Sequence, residues 1–179
     1  MERILKKLSE KNGNAVPLAC AIVIALLLVS SVIMEYIRLN VIAGGVRDAL
    51  QASILSVSTG NFDETYNGLR EGYSGGYNRN GEGSWDEWLD EGDIYLELDE
   101  LLGLTQMHAK VTGEREEYQL SDLQVTLINS PLAPTGPEAV GRFEAEAQIT
   151  IEISLSFGWS IIPALKMTIK TAAGYTPKF

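Results

Sequence analysis

The 179-residue sequence contains one cysteine, Cys20, and one histidine, His108, so it has few of the side chains that most enzymes use for chemistry. A single cysteine forms no disulfide within the chain, so the folded part must depend on a hydrophobic core, which roughly 120 residues can bury. No serine or cysteine is placed for nucleophilic catalysis, and no phosphate loop, dinucleotide fingerprint or zinc spacing is present. We therefore expect no catalytic site, no metal site, no cofactor and no small-molecule substrate.

His108 and one acidic cluster are the polar candidates for chemistry, and a simpler interpretation is favoured for each. His108 lies on the polar phase of an alternating segment, which is typical of a surface residue rather than a general base. The acidic side chains between residues 86 and 93 are candidates for calcium binding, but they lack the Asp/Asn alternation and the glycine of a calcium loop. We expect a solvated acidic face formed by Asp86, Glu87, Asp90, Glu91 and Asp93.

Charge is divided unevenly along the chain. The net charge is -10, but residues 1–14 contain four basic and two acidic side chains, so this tail carries +2 and the other 165 residues carry -12. The acidic balance argues against nucleic acid as a partner.

An uncharged run of 19 residues, 16–34, follows the basic tail. As a helix it is roughly 28 Å long, at about 1.5 Å per residue, which is enough to cross a membrane core of about 30 Å. The run is longer than the apolar region of a signal peptide, about 7–15 residues, which favours a retained anchor over a cleaved signal. By the positive-inside rule, residues 1–14 form a cytoplasmic tail and the acidic remainder lies outside the cell membrane.

Helical periodicity continues beyond the apolar run. Val46, Leu50, Ile54 and Val57 recur at i, i+4, i+8 and i+11, which predicts one apolar face for packing on a sheet. Gly60 is predicted to end the helix, because helices commonly end at a glycine in the left-handed conformation. The sequence therefore predicts three parts: the tail 1–14, a helix over 15–58 that is first transmembrane and then amphipathic, and an extracytoplasmic α+β domain over 59–179.

The remaining sequence changes from loop to strand character. Residues 61–93 predict an irregular loop, within which the capping-box spacing that starts at Ser84 predicts a short helix from Trp85 to about Glu91. Period-two alternation begins near residue 104 and is strict from Phe143 to Phe157, which predicts a long strand with one wet face. Three prolines between residues 131 and 137 predict a loop.

A last strand contains Leu165, Met167 and Ile169 on one face and Lys166 and Lys170 on the other, and its lysines are expected to face glutamates of the preceding strand. The fold class that follows is α+β, with a four-stranded antiparallel meander packed against the outer half of the long N-terminal helix.

Glu35, Tyr36 and Arg38 lie at the outer end of the apolar run. Glu35 and Arg38 are spaced to pair on one helix face, and a tyrosine suits a membrane interface. Two interpretations remain open. Either Glu35 has reached the headgroup layer, or it contacts a neighbouring helix, since a charge near lipid is costly enough to drive association. On the second interpretation these three residues form a helix–helix assembly site.

Residues 11–57 contain four features in order: Gly13-Asn14-Ala15, the apolar run, Glu35-Tyr36-Ile37-Arg38 and Val46-Arg47-Asp48-Ala49-Leu50. With these features the segment resembles the TadE-like proteins, the minor pilin-like subunits (pseudopilins) of tight-adherence, type IV-like pili. The resemblance implies a pilin-like fold and a membrane subunit that helps to start or build a surface fibre. Its implied partners are the lipid bilayer and other pilin-like subunits or pilus assembly membrane proteins.

One departure from pilins concerns processing. Pilins cut by prepilin peptidase carry glycine before the cut and glutamate five residues after it, whereas Ser30 stands five residues before Glu35 and Leu18 stands five after Gly13. We therefore expect the tail to be retained. The alternative function is a single-pass, membrane-anchored extracellular binding or sensor module whose contact residues are Tyr73, Tyr77, Trp85 and Trp88.

Overall fold

The computed structural model describes residues 15–66, 75–79, 85–131, 141–156 and 163–176. In chain order the elements are α1 (Ala15–Tyr66), β1 (Tyr77–Arg79), β2 (Trp85–Glu87), α2 (Glu91–Leu102), β3 (Ala109–Thr112), β4 (Arg115–Asn129), β5 (Phe143–Ile153) and β6 (Leu165–Tyr175). The chain divides into two compact units, Met1–Val41 and Ile42–Phe179. The predicted basic tail, Tyr73, Phe157 and most of the predicted proline loop lie outside the described residues.

The described part of the first unit is the N-terminal portion of α1. Pro17 lies in the first turn, where a proline is tolerated because the first N–H groups of a helix have no partner within it. The apolar side chains that follow are exposed, for example Leu27 at 65% and Met34 at 69%. Among the described residues, this is the one helix that is long and apolar enough to cross a membrane.

In the second unit, the outer half of α1 packs on the sheet through one face. The predicted stripe is buried: Val46 is 1% exposed, Leu50 and Ile54 are 0%, and Val57 is 8%. Ser53 is also buried in this face, and its hydroxyl donates to the carbonyl of Ala49 at 3.0 Å. A hydroxyl satisfied by its own helix adds no unpaired polar group to the interface.

The predicted end of α1 was wrong, because the helix continues to Tyr66 rather than stopping near residue 58. Gly60 is exposed and a Cβ there would have nothing within 4 Å. The glycines with positive φ in the described residues are Gly103 and Gly113, so Gly60 does not adopt the left-handed conformation of a helix-ending glycine. A glycine that keeps helical dihedrals costs a helix about 1 kcal/mol, which this helix tolerates.

The predicted four-stranded antiparallel meander is confirmed, with strand order β3-β4-β5-β6. One face of β5 is buried and the glutamates of the other face are exposed. The buried residues are Phe143, Ala145, Ala147, Ile149, Ile151 and Ile153. β5 ends at Ile153 rather than at residue 157, because Ile153 lies opposite Leu165, the first residue of β6, so pairing on that side ends there.

The expectation that the lysines of β6 face glutamates of β5 is confirmed for one of the two lysines. Lys166 lies opposite Glu152, as expected, but Lys170 lies opposite Gln148. The outward-facing side of β5 has glutamate at 144, 146 and 152 but glutamine at 148, so the register leaves Lys170 beside a neutral residue.

The prediction of a short helix over residues 85–91 was wrong, because a strand lies at the start of this segment and the helix begins only at its end. Trp85 begins β2, which pairs with β1, and the helix α2 starts only at Glu91. Asp90 is its N-cap, with a carboxylate oxygen that accepts from the N–H of Gly92 at 2.7 Å, and Gly103 ends it with φ 60°. These caps satisfy groups that the helix leaves unpaired, which fixes its two ends. The loop predicted over 61–93 therefore contains the last turns of α1 and a small hairpin.

Candidate functional site

The residues predicted to serve assembly, Glu35, Tyr36 and Arg38, lie within one turn of α1. Glu35 is 7% exposed, and its carboxylate oxygen Oε1 lies 3.3 Å from Nη1 of Arg38. The two side chains pair because residues three apart share one face of a helix, as the spacing predicts. Tyr36, the residue after Glu35, is 68% exposed.

The Glu35–Arg38 pair is surrounded on α1 by exposed apolar side chains. Ile33, Met34, Ile37 and Val41 are 49–69% exposed. A carboxylate beside lipid is costly when alone, and a guanidinium one turn away offsets part of that cost. The helix thus presents a neutralised charge pair within an apolar surface, an arrangement suited to contact with a second helix.

Two acidic side chains at the start of α2 stabilise the fold through hydrogen bonds to backbone N–H groups. Asp90 caps the helix, and Glu91 Oε1 accepts from the N–H of Val125 at 3.1 Å. Asp86 and Glu87 are exposed. Within the described part of the chain, no group of three or more His, Cys, Asp or Glu side chains is arranged to hold a metal ion.

His108 is not the plain surface residue expected from its alternation. Its Nδ1 lies 2.9 Å from both carboxylate oxygens of Asp99, and its ring stacks on Tyr95 with centroids 4.1 Å apart. The residue precedes β3 rather than lying within it, and φ is 55°, so the alternating pattern does not apply to it. His108 joins the start of β3 to α2, which is a structural role.

The alternative function, a binding or sensor module, requires contact residues that are exposed, and the structure shows this for only some of them. The Tyr77 hydroxyl donates to the carbonyl of Ser130 at 3.3 Å, so this tyrosine helps to hold the β1–β2 hairpin. Trp88 is 52% exposed and remains a candidate contact residue. Tyr73 and the side chain of Trp85 lie outside what the structure describes.

A second polar arrangement, between α2 and β4, was not predicted. The N–H of Leu123 donates to the hydroxyl oxygen of Tyr95 at 3.0 Å, next to the contact between Val125 and Glu91. Burial raises the pKa of the Tyr95 hydroxyl, and the hydrogen bond from Leu123 opposes this shift. Two side chains of α2 thereby occupy backbone donors of a strand edge. The partners are 28 and 34 residues apart, so no local pattern indicates them.

Comparison with known proteins identifies no relative of this chain, since no protein-family model, no curated protein and no solved structure matches it. The functional conclusion therefore rests on the fold, on the residues described above and on the local resemblance of residues 11–57.

Proposed function

We propose that this chain is a non-enzymatic, pilin-like membrane subunit that takes part in the assembly or initiation of a tight-adherence, type IV-like surface pilus or a related secretion apparatus. In this proposal residues 16–34 span the membrane, the basic tail is cytoplasmic and the α+β part lies at the cell surface. Its partners are other pilin-like subunits or membrane proteins of the assembly machinery.

The main support for the proposal is that one helix, α1, has two roles: its first part is an exposed apolar segment and its second part contributes to the core of the folded unit. α1 is continuous from Ala15 to Tyr66, yet its first part exposes apolar side chains while Leu50 and Ile54 in its second part are 0% exposed in the core. A simple anchor needs only a linker between membrane and domain. Here the same helix supplies both the apolar segment and part of the domain core, which suits a subunit that assembles through its helices.

Glu35 is the residue expected to select the neighbouring helix. Its burial and its pairing with Arg38 keep a charge within an otherwise apolar surface. Removing one member of a buried pair costs about 3–5 kcal/mol, because the other charge loses its partner. If the Glu35 carboxylate forms part of an interface with a second helix, its removal should weaken assembly. If Glu35 only lies in the lipid headgroup layer, its removal should leave assembly unchanged.

The test compares variants at these two positions in the native host. Glu35→Gln keeps the size of the side chain, and we expect normal expression and membrane insertion but a large loss of co-purification with partner subunits and of surface fibres. Arg38→Gln should do less, because the long Arg38 side chain can reach the lipid headgroups whether or not a partner is present. Both fibres and complexes are counted against wild type.

A charge swap separates pairing within the chain from contact with a partner. The double variant Glu35→Arg with Arg38→Glu keeps an ion pair on the helix but moves the carboxylate by one turn. If residue 35 contacts a partner, the swap leaves assembly impaired. Full assembly in the swap and in Glu35→Gln would contradict the proposal and favour the membrane-anchored binding module, which the exposed Trp88 supports among the described residues.

A further inference from the structure

The last strand, β6, forms one of the two edges of the four-stranded sheet. It pairs with β5 along its whole length, Leu165–Tyr175, and within the described residues no strand lies on its other side. The other edge strand, β3, has only four residues, and its pairing is interrupted by a register shift after Lys110. β6 is therefore the edge that has room for a further strand.

The hydrogen bonds of β4 show which backbone groups of the sheet face which neighbour. The N–H groups of Leu123 and Val125 donate to side chains of α2, so they point away from β5. Backbone groups alternate in direction along an antiparallel strand, so Gln124 points its N–H and C=O toward its partner in β5, Gln148. The even-numbered residues of β5 therefore bond to β4, and the odd-numbered residues bond to β6.

The same alternation fixes the direction of the backbone groups in β6. Odd residues of β5 lie opposite odd residues of β6, for example Ile149 opposite Ile169, so the even residues of β6 direct both N–H and C=O to the free edge. Four of these even residues are exposed: Lys166, Thr168, Lys170 and Ala172. In the described part of the chain no hydrogen bond reaches their outward backbone groups. The edge thus presents a row of unpaired donors and acceptors.

Two of the four residues add positive charge to this edge. Lys166 and Lys170 are exposed, and neither forms an ion pair within the residues that the structure describes. A strand on the outer side would lie about 4.8 Å from β6 and about twice as far from the glutamates of β5. The lysines are therefore the nearest charges to such a strand.

We propose that the free edge of β6 binds an extended acidic segment of a partner protein, which adds to the sheet as a fifth strand. Strand addition uses unpaired backbone groups for affinity and side-chain contacts for specificity. Lys166 and Lys170 are four residues apart and lie on one face, so carboxylates at alternate positions of the incoming segment lie opposite them. Opposite charges on facing residues of neighbouring strands stabilise pairing.

The lysines also define which segments this edge rejects. Lysine on an edge strand is a common means of preventing unwanted pairing. At β6 the two lysines disfavour apolar and basic segments, including the β6 strand of a second copy, and admit an acidic one. The inference stands apart from the fibre role, because it concerns the folded unit and needs no neighbouring transmembrane helix.

The experiment uses the full chain in nanodiscs of zwitterionic lipid, with empty nanodiscs as the blank. The probe is a fluorescent peptide of alternating valine and glutamate about seven residues long, within the usual range of strand lengths. One control peptide has lysine in place of glutamate, and another is the acidic peptide with every backbone nitrogen methylated. We expect the acidic peptide to bind, and both controls to bind at least about tenfold more weakly, since each lacks either the charge or the backbone donors.

Two double variants of the protein test the contribution of charge. Lys166→Gln with Lys170→Gln removes both charges from the edge. Arg47→Gln with Arg115→Gln removes the same net charge at exposed positions of α1 and β4. The first pair should weaken binding of the acidic peptide about tenfold, the size expected for two exposed ion pairs, and the second should leave it unchanged.

A proline at position 168 tests the backbone contact separately from charge. The N–H of Thr168 faces the free edge, and proline is tolerated on an edge strand where the lost N–H does not belong to the ladder. Thr168→Pro should therefore keep the fold but weaken binding at least about tenfold, because the edge loses a donor and gains a bulky ring. Thr168→Ala keeps the N–H and should bind as the wild type does.

Hydrogen exchange locates the bound peptide, and melting temperatures confirm that the variants are folded. The amides of Thr168 and Lys170 should exchange slowly only when the peptide is bound, while exchange in β3 stays the same. Failure of the acidic peptide to bind, equal binding of the methylated peptide, equal losses in the two double variants, or wild-type binding by folded Thr168→Pro protein would each overturn the proposal. Slow exchange at Thr168 and Lys170 without peptide, in nanodiscs that hold two copies, would assign the edge to a second copy and would also overturn it.

Discussion

Removing the outer half of α1 should abolish the stability of the folded unit. Val46, Leu50, Ile54 and Val57 are 0–8% exposed. At about 1.5–3 kcal/mol for each buried side chain they contribute roughly 6–12 kcal/mol, which is comparable with the roughly 5–15 kcal/mol of a whole domain. A fragment of residues 61–179 should therefore aggregate, or melt far below a fragment of residues 42–179.

Point variants in the longer fragment give the same comparison in graded form. Leu50→Ala should lower the free energy of unfolding by about 2–5 kcal/mol, because it leaves a cavity at a fully buried position. Gln51→Ala, at the next and exposed position, should change it by less than about 0.5 kcal/mol. Urea unfolding followed by circular dichroism measures both. Equal melting temperatures for the two fragments, or equal effects of the two substitutions, would refute packing of α1 on the sheet.

Three further predictions concern topology and local structure. Protease added to intact spheroplasts should remove the acidic domain and leave a small N-terminal fragment in the membrane, whereas full protection would contradict the orientation. His108→Asn, which tolerates a left-handed conformation, should lower the free energy of unfolding by about 1 kcal/mol through loss of the ring stacking on Tyr95; an unchanged urea midpoint would argue against that role. Gly45→Ala should raise the melting temperature, since a Cβ there meets nothing within 4 Å in a helix, while Gly75→Ala should lower it, since a Cβ there would lie 1.7 Å from the Ser58 carbonyl oxygen. The opposite order of the two melting temperatures would show that these environments are wrong.

Strong periodicity explains which parts of the fold were predictable. Every second side chain of β5 points toward the same hydrophobic core, and these positions are therefore apolar. The same holds for α1, where Leu50 and Ile54 recur at helical spacing because they face one sheet. These patterns arise from contact with a single surface, and the sequence therefore displays them.

The parts that were missed depend on contacts that leave no periodic trace. In α2 only Ile94 and Leu98 are buried, and Leu96 is 67% exposed, so the apolar pattern is short and mixed. The better signal was the pair of caps, Asp90 and Gly103, which bound the helix at both ends. The contacts of α2 with His108 and with the edge of β4 join distant segments, and only the fold brings them together.

Deletion of the gene in the native host tests the central claim most directly. Surface fibres are counted by electron microscopy in the deletion strain, and again after the full chain is supplied in trans. A pilin-like assembly subunit predicts that fibres are lost or greatly reduced in the deletion strain and restored by the full chain. Fibre numbers that stay at the wild-type level in the deletion strain would contradict it.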